Sequence, residues 1–146
     1  MGVWMGVDLG NARVGLALSD PELTFAHPAG NLQAYSDYDT TVEDALNCIE
    51  DNDVVCVIVG YPLQLNGSVG ASAAKAKAWA ERLRYRLAVE GFDGVQVELL
   101  DERLTTVTAH HQLSEAGLGS RKHRPAVDQQ SAVVILQTAL DRNRRE

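Results

Sequence analysis

Residues 3–9, VWMGVDL, form a short apolar run rich in β-forming side chains, and RVGLALS at 13–19 repeats the pattern after a tight GNA connection. Two such runs joined so closely predict a β-hairpin. TFAHPAGNL, residues 24–32, reads as a third strand at a sheet edge, because Pro28 cannot donate to a ladder on both sides. In DYDTTVEDALNCIEDN the apolar positions Val42, Ala45, Leu46 and Ile49 fall at helical spacing behind polar cap candidates. VVCVIV at 54–59 is apolar on both parities, as a central parallel strand covered on both faces should be.

The second half continues the alternation. Ala76, Trp79, Ala80, Leu83 and Leu87 make the apolar stripe of a helix that Gly91 stops. GVQVELLDERL predicts a fifth strand, TTVTAHHQLSEAG a short helix, and the stretch from about Ala126 to Asp141 a last helix after the basic connection LGSRKHRP. The order is β-β-β-α-β-α-β-α-α: an α/β fold in which a hairpin leads a five-stranded mixed sheet, with helices packed against it. A chain of 146 residues suffices for one such domain, spanning 1–146, with no repeat or linker.

Within this frame the acids stand out. In strand one Val3, Met5, Val7 and Leu9 share one face, which leaves Trp4, Gly6 and Asp8 on the other. A carboxylate on a packing surface needs a cation, a set of hydrogen-bond donors or the open end of the strand; otherwise Asp8 merely begins a turn with Gly10. Asp101 and Glu102 follow the fifth strand, where open α/β sheets bind ligands. Period two sends them to opposite faces, so at most one can join Asp8 directly. Asp128 interrupts the inner stripe of the last helix above Ala132, Ile135 and Ala139, although an acid near a helix start is also favoured by the helix dipole. Carboxylates from two strand ends and one helix could converge on Mg²⁺ or Mn²⁺, which prefer oxygen ligands. Two such ions about 4 Å apart can activate water and stabilise the leaving oxygen of a phosphodiester. The adjacent His110 and His111 do not form a zinc-binding pair.

Charge changes the picture by its distribution. The net charge is −7, which excludes a histone-like electrostatic binder. Residues 1–74 hold ten acids against one base, Arg13, while 75–146 hold ten acids and twelve bases. RKHR at 121–124 contributes Arg121, Lys122 and Arg124 beside Asp128, and RNRR at 142–145 reads as a solvated tail. Arg13 sits across the turn from Asp8, able to neutralise it or hold a phosphate. The loop GYPLQLNGSVG opens a helix, so amides near Gly67 and Gly70 could receive an anion. Cys48 and Cys56 read as buried thiols of a reducing compartment. No apolar run approaches the roughly 20 residues of a membrane span and no secretory signal opens the chain, so a cytoplasmic protein without membrane partners is expected.

At these residues the chain resembles the YqgF (RuvX-like) family, ribonuclease-H-like proteins associated with Holliday junction resolution or ribosomal RNA precursor processing. DLGNARVG looks like its opening D-x-G-x-x-R-x-G, VGYPLQLNGSVG like its G-x-P-x-x-x-x-G loop, DERLTT like its strand exit and VDQQSAVVILQTALD like its last helix. Tyr61 departs from the more usual leucine. The resemblance implies a ribonuclease-H fold, Mg²⁺ or Mn²⁺ as cofactor, and acidic site positions at Asp8, Asp101 or Glu102, and Asp128. It implies a nucleic-acid partner, ribosomal RNA precursor or branched DNA, acted on by a monomer or homodimer. Two rivals use the same residues differently: a non-catalytic nucleic-acid-binding module, and an actin-like nucleotide-binding lobe. The second would need a partner lobe across the cleft.

Overall fold

The structure is a computed structural model that describes residues 2–10, 12–33, 38–105 and 120–145, with backbone placement alone for 38, 120–129 and 145. Its strands are β1 (Val3–Leu9), β2 (Arg13–Ser19), β3 (Ala26–Gln33), β4 (Val54–Tyr61) and β5 (Gln96–Asp101). Its helices are α1 (Tyr38–Asp51), α2 (Ala71–Val89) and α3 (Ser120–Arg145), and a short 3-10 turn, Glu102–Leu104, follows β5. The sheet order is β3-β2-β1-β4-β5. β1 pairs antiparallel with β2 and parallel with β4, which pairs parallel with β5. The expected hairpin, edge strand and interior parallel strand are all present.

The two faces of the sheet are buried against different helices. Met5, Val7, Val14, Val57 and Val59 pack with Val42, Leu46, Ile49, Trp79 and Leu83 of α1 and α2. On the opposite face Ala17, Cys56 and Ile58 pack with Ala132, Ile135, Leu136 and Leu140 of α3. This alternation confirms the split read for β1. Val7 belongs to the α1–α2 layer, whereas a Cβ on Gly6 would stand 2.7 Å from both the Ala132 carbonyl oxygen and Leu136 Cβ. The absent side chain at Gly6 is what lets α3 lie directly on β1.

Two expectations need correction or fall outside the description. α3 begins at Ser120 rather than near Ala126, so the backbone of RKHR belongs to the helix and not to a connection. Pro125, expected in that connection, stands in the first two turns of α3. The helix expected over TTVTAHHQLSEAG, with His110 and His111, lies outside the described residues beyond Thr105. Among the described residues no helix is long and apolar enough to cross a membrane. Both cysteines are free; Cys56 is buried and Cys48 half-buried. Burial, followed by the neighbouring Glu98 carboxylate, pushes the Cys56 thiol up to about 12.

Candidate active site

Strand register brings Asp8 beside β4. Val7 pairs with Val59, and one further step along the parallel ladder sets Asp8 next to Gly60, on a strand roughly 4.8 Å away. By alternation with Gly6, Asp8 faces α3. Gly60 faces the same way, because a Cβ there would meet Ile135 Cδ1 at 2.6 Å. It would also meet Glu102 Oε2 at 2.8 Å. The Glu102 carboxylate therefore lies over the bare backbone of β4, on the α3 face and at the strand level of Asp8.

The 3-10 turn explains how Glu102 gets there. Asp101 caps the turn by accepting from the Arg103 backbone N–H at 3.0 Å. The Thr105 N–H and hydroxyl both donate to the Glu102 carbonyl at 2.9 Å. With its ends held, the turn directs Glu102 inward. Asp101 goes elsewhere: Arg103 grips its carboxylate through Nε at 2.9 Å and one terminal nitrogen at 2.6 Å. The two adjoining acids consequently differ in electrostatics. The Arg103 hydrogen bonds hold the Asp101 carboxyl below its ordinary value. Burial, with the Asp101 charge as a second cause, pushes Glu102 above its own.

Arg103 is the residue that sequence reading missed. It binds Asp101 and also reaches the Leu65 carbonyl at 3.4 Å. It thereby ties the β5 exit to the loop between β4 and α2. In that loop Gly67 adopts φ +87°, a left-handed conformation suited to glycine. Its N–H donates to the Gln64 carbonyl at 2.8 Å, so this amide serves the turn rather than an anion. The capacity for an anion shifts to the start of α2, where Gly70 caps the helix without a side-chain bond and the first-turn amides are left by helix geometry.

Arg13 opens β2. By alternation it shares a face with Gly15, which pairs with Asp8. Neither Asp8, Arg13 nor Glu102 lacks a partner. Trp4 packs against the α3 layer, Gly6 carries Ala132 and Leu136, and the N-terminal half of α3 extends toward the Asp8 end of β1. The α3 backbone carries residue 128 one turn before Ala132. The side chains of Asp128, Arg121, Lys122 and Arg124 lie outside the described residues. Among the described residues no three acidic, histidine or cysteine side chains form a metal-sized group.

Comparison with known proteins decides the family. A family model described as RuvX, Holliday junction resolvase, matches residues 2–142. The chain belongs to the RuvX family. A relative from Bifidobacterium longum named "Putative pre-16S rRNA nuclease" is 62% identical, with 99% of each chain covered. One of the same name from Corynebacterium jeikeium is 38% identical, covering 97% of this chain and 87% of the relative. Among solved structures, Thermus thermophilus RuvC in complex with a Holliday junction substrate superposes with TM-score 0.60 at 16% identity, covering 99% of this chain and 97% of that one. The yeast mitochondrial resolvase Ydc2 gives TM-score 0.59 at 12% identity, over 97% and 81%. The RuvX chain accordingly has the ribonuclease-H-like α/β fold of these neighbours.

Proposed function

We propose that this RuvX protein is a metal-dependent nuclease that hydrolyses phosphodiester bonds in structured nucleic acid, and that ribosomal RNA precursor is its substrate. The observation that carries the reading is the Glu102 carboxylate over Gly60, beside Asp8 on one face of the sheet. The substrate choice is supported by relatives 38% to 63% identical that bear a pre-16S rRNA name. Branched DNA is the second reading, favoured by the Holliday junction description of the family model.

The donor set fits a hard divalent cation, Mg²⁺ or Mn²⁺. Asp8 and Glu102 offer carboxylate oxygens on one face, and the missing Gly60 side chain gives the Glu102 carboxylate its place there. Asp128 is assigned as the third ligand from the backbone position of residue 128 on α3. When bound, the ion supplies charge neutralisation and an activated water. The remaining roles belong to the chain itself. Asp101 is a positioning residue that anchors Arg103, so that the 3-10 turn holds Glu102 inward. Arg13 and the first turn of α2 hold phosphate oxygens, and Arg121, Lys122 and Arg124 attract the backbone of the strand.

The test is cleavage of a 16S precursor RNA and of a four-way DNA junction with Mg²⁺ and Mn²⁺ titrated. Precursor RNA should be cut only with metal present, and junction DNA slowly or not at all. Preferential junction cleavage would move the assignment to the second reading. Undiminished cleavage in excess chelator, by protein that retains no metal, rejects the mechanism.

A further inference from the structure

A second feature opens on the same face. α3 packs over β1, β2 and β3 and only lightly over β4, which leaves that side of β5 without a covering helix among the described residues. The gap is a cavity of about 540 Å³, within the range of small-molecule sites. Its apolar surface comes from Trp4, Ile58, Leu100 and Leu104, while Glu98 and Asp101 add negative charge and Arg142 positive charge. Asp101 and Leu104, on either side of Glu102 in the chain, also line it.

The polar groups are specific. The Cys56 thiol donates to Glu98 Oε2 at 3.8 Å, and the other carboxylate oxygen accepts no bond among the described residues. Glu98 can therefore take a proton donor but offers none. Arg142 is exposed at the rim and makes no ion pair among the described residues, unlike Arg144, which pairs with Asp141. Asn143 beside it adds an amide. Trp4 forms part of the lining, and its backbone N–H donates to the buried Ser19 hydroxyl at 2.9 Å.

We propose that this cavity is a nucleobase subsite: it takes one unpaired base of the substrate strand, with the base against Trp4 and the neighbouring phosphate at Arg142. An apolar floor with an aromatic ring suits the π-face of a base, and splayed single-stranded bases are what RNA-binding sites select. Because Glu98 is an acceptor, it can receive an N–H from the edge of any of the four bases, an exocyclic amine of cytosine, adenine or guanine or the N3–H of uracil, so the site selects a base over its absence. The inference rests on the nuclease reading for its choice of ligand.

The experiment measures binding of labelled single-stranded RNA pentamers to the full chain in chelator. The central residue is C, A, G, U or abasic in a uridine background. Base stacking predicts that the four base-bearing pentamers bind roughly 5- to 150-fold more tightly than the abasic one. Glu98→Gln should weaken the base-bearing pentamers and leave the abasic one unchanged, since the charged acceptor is lost. Arg142→Ala should weaken all pentamers alike and flatten the salt dependence. In Trp79→Phe protein Trp4 is the remaining tryptophan, and its fluorescence should fall on binding C but not the abasic pentamer. Equal binding of all five pentamers, or a base-over-abasic preference unchanged by Glu98→Gln, overturns the subsite. Cleavage that persists while these results fail leaves the nuclease intact without the subsite. Base-ranked binding without any cleavage leaves the subsite and removes the nuclease.

Discussion

The Glu102 carboxylate occupies the space that a side chain at Gly60 would need, since a Cβ on Gly60 would fall 2.8 Å from its Oε2 and 2.6 Å from Ile135 Cδ1. The glycine therefore determines where an acid from the next strand exit can rest. Gly60→Ala should push Glu102 out of line with Asp8 and crowd α3. Overpacking of this kind costs about 1–3 kcal/mol. The expected outcome is a folded protein with a lowered Tm and cleavage reduced by at least about tenfold, a change of ~1.4 kcal/mol in the barrier. Thermal unfolding and single-turnover cleavage measure the two effects separately. Wild-type cleavage with a lowered Tm would mean that Glu102 need not lie over Gly60.

Glu102 also predicts a pH dependence. Burial, and next the Asp101 charge, raise its folded-state value above the ordinary 4.5. Below pH 4.5 the group is protonated in both folded and unfolded chains, and the stability tied to the neutral form is fully present. That stability is lost as the pH rises through the folded value. Glu102→Gln mimics the neutral form, so in chelator its Tm should exceed that of wild type at neutral pH and converge with it below pH 4.5. A Tm deficit at neutral pH would show that the ionised carboxylate is stabilised in the apoprotein.

Much of this was legible because periodicity encodes faces. Alternation in VWMGVDL separates Val7 from Asp8, and the stripes at Val42–Ile49 and Ala76–Leu87 read directly as the layer beneath. The site itself was less legible. Asp101 and Glu102 are equivalent as letters; their roles diverge only because the 3-10 turn lets Arg103 fold back on Asp101. Gly60 read as the start of a loop, and its use as a seat depends on Ile135, which is 75 positions further along the chain and outside any local pattern. The Gly67 amide failed as an anion donor for a local reason that composition cannot express, a hydrogen bond back to Gln64.

Arg103 offers a test of positioning against simple stabilisation. Its guanidinium connects Asp101 to the Leu65 carbonyl across the site. Arg103→Ala should free both the 3-10 turn and the β4–α2 loop. Both partners are substantially exposed, with 37% and 27% of the side chains accessible, so screening by water should keep the Tm change small. The rate at saturating substrate should nevertheless fall, because misaligned groups lose transition-state contacts. Asp101→Asn, which keeps one acceptor for Arg103, should fall less. Equal losses in the two variants would instead assign Asp101 a direct role at the reacting phosphate.

Asp8 separates catalysis from folding most sharply. It lies one residue before the end of β1, opposite Gly15, on the face and at the level of the Glu102 carboxylate. Grouped carboxylates repel one another, so a neutral isostere should relieve strain while removing a ligand. Asp8→Asn should keep or modestly raise the Tm in chelator and lose most of the stabilisation that Mg²⁺ or Mn²⁺ gives the wild type. Cleavage should fall by orders of magnitude while nucleic-acid binding, carried by the basic residues, survives. If Asp8 only shapes the turn or pairs with Arg13, the ordering reverses: the variant is less stable in chelator and cleaves at nearly the wild-type rate. Measuring Tm with and without metal beside the cleavage rate distinguishes the two, and the reversed pattern removes Asp8 from the active site.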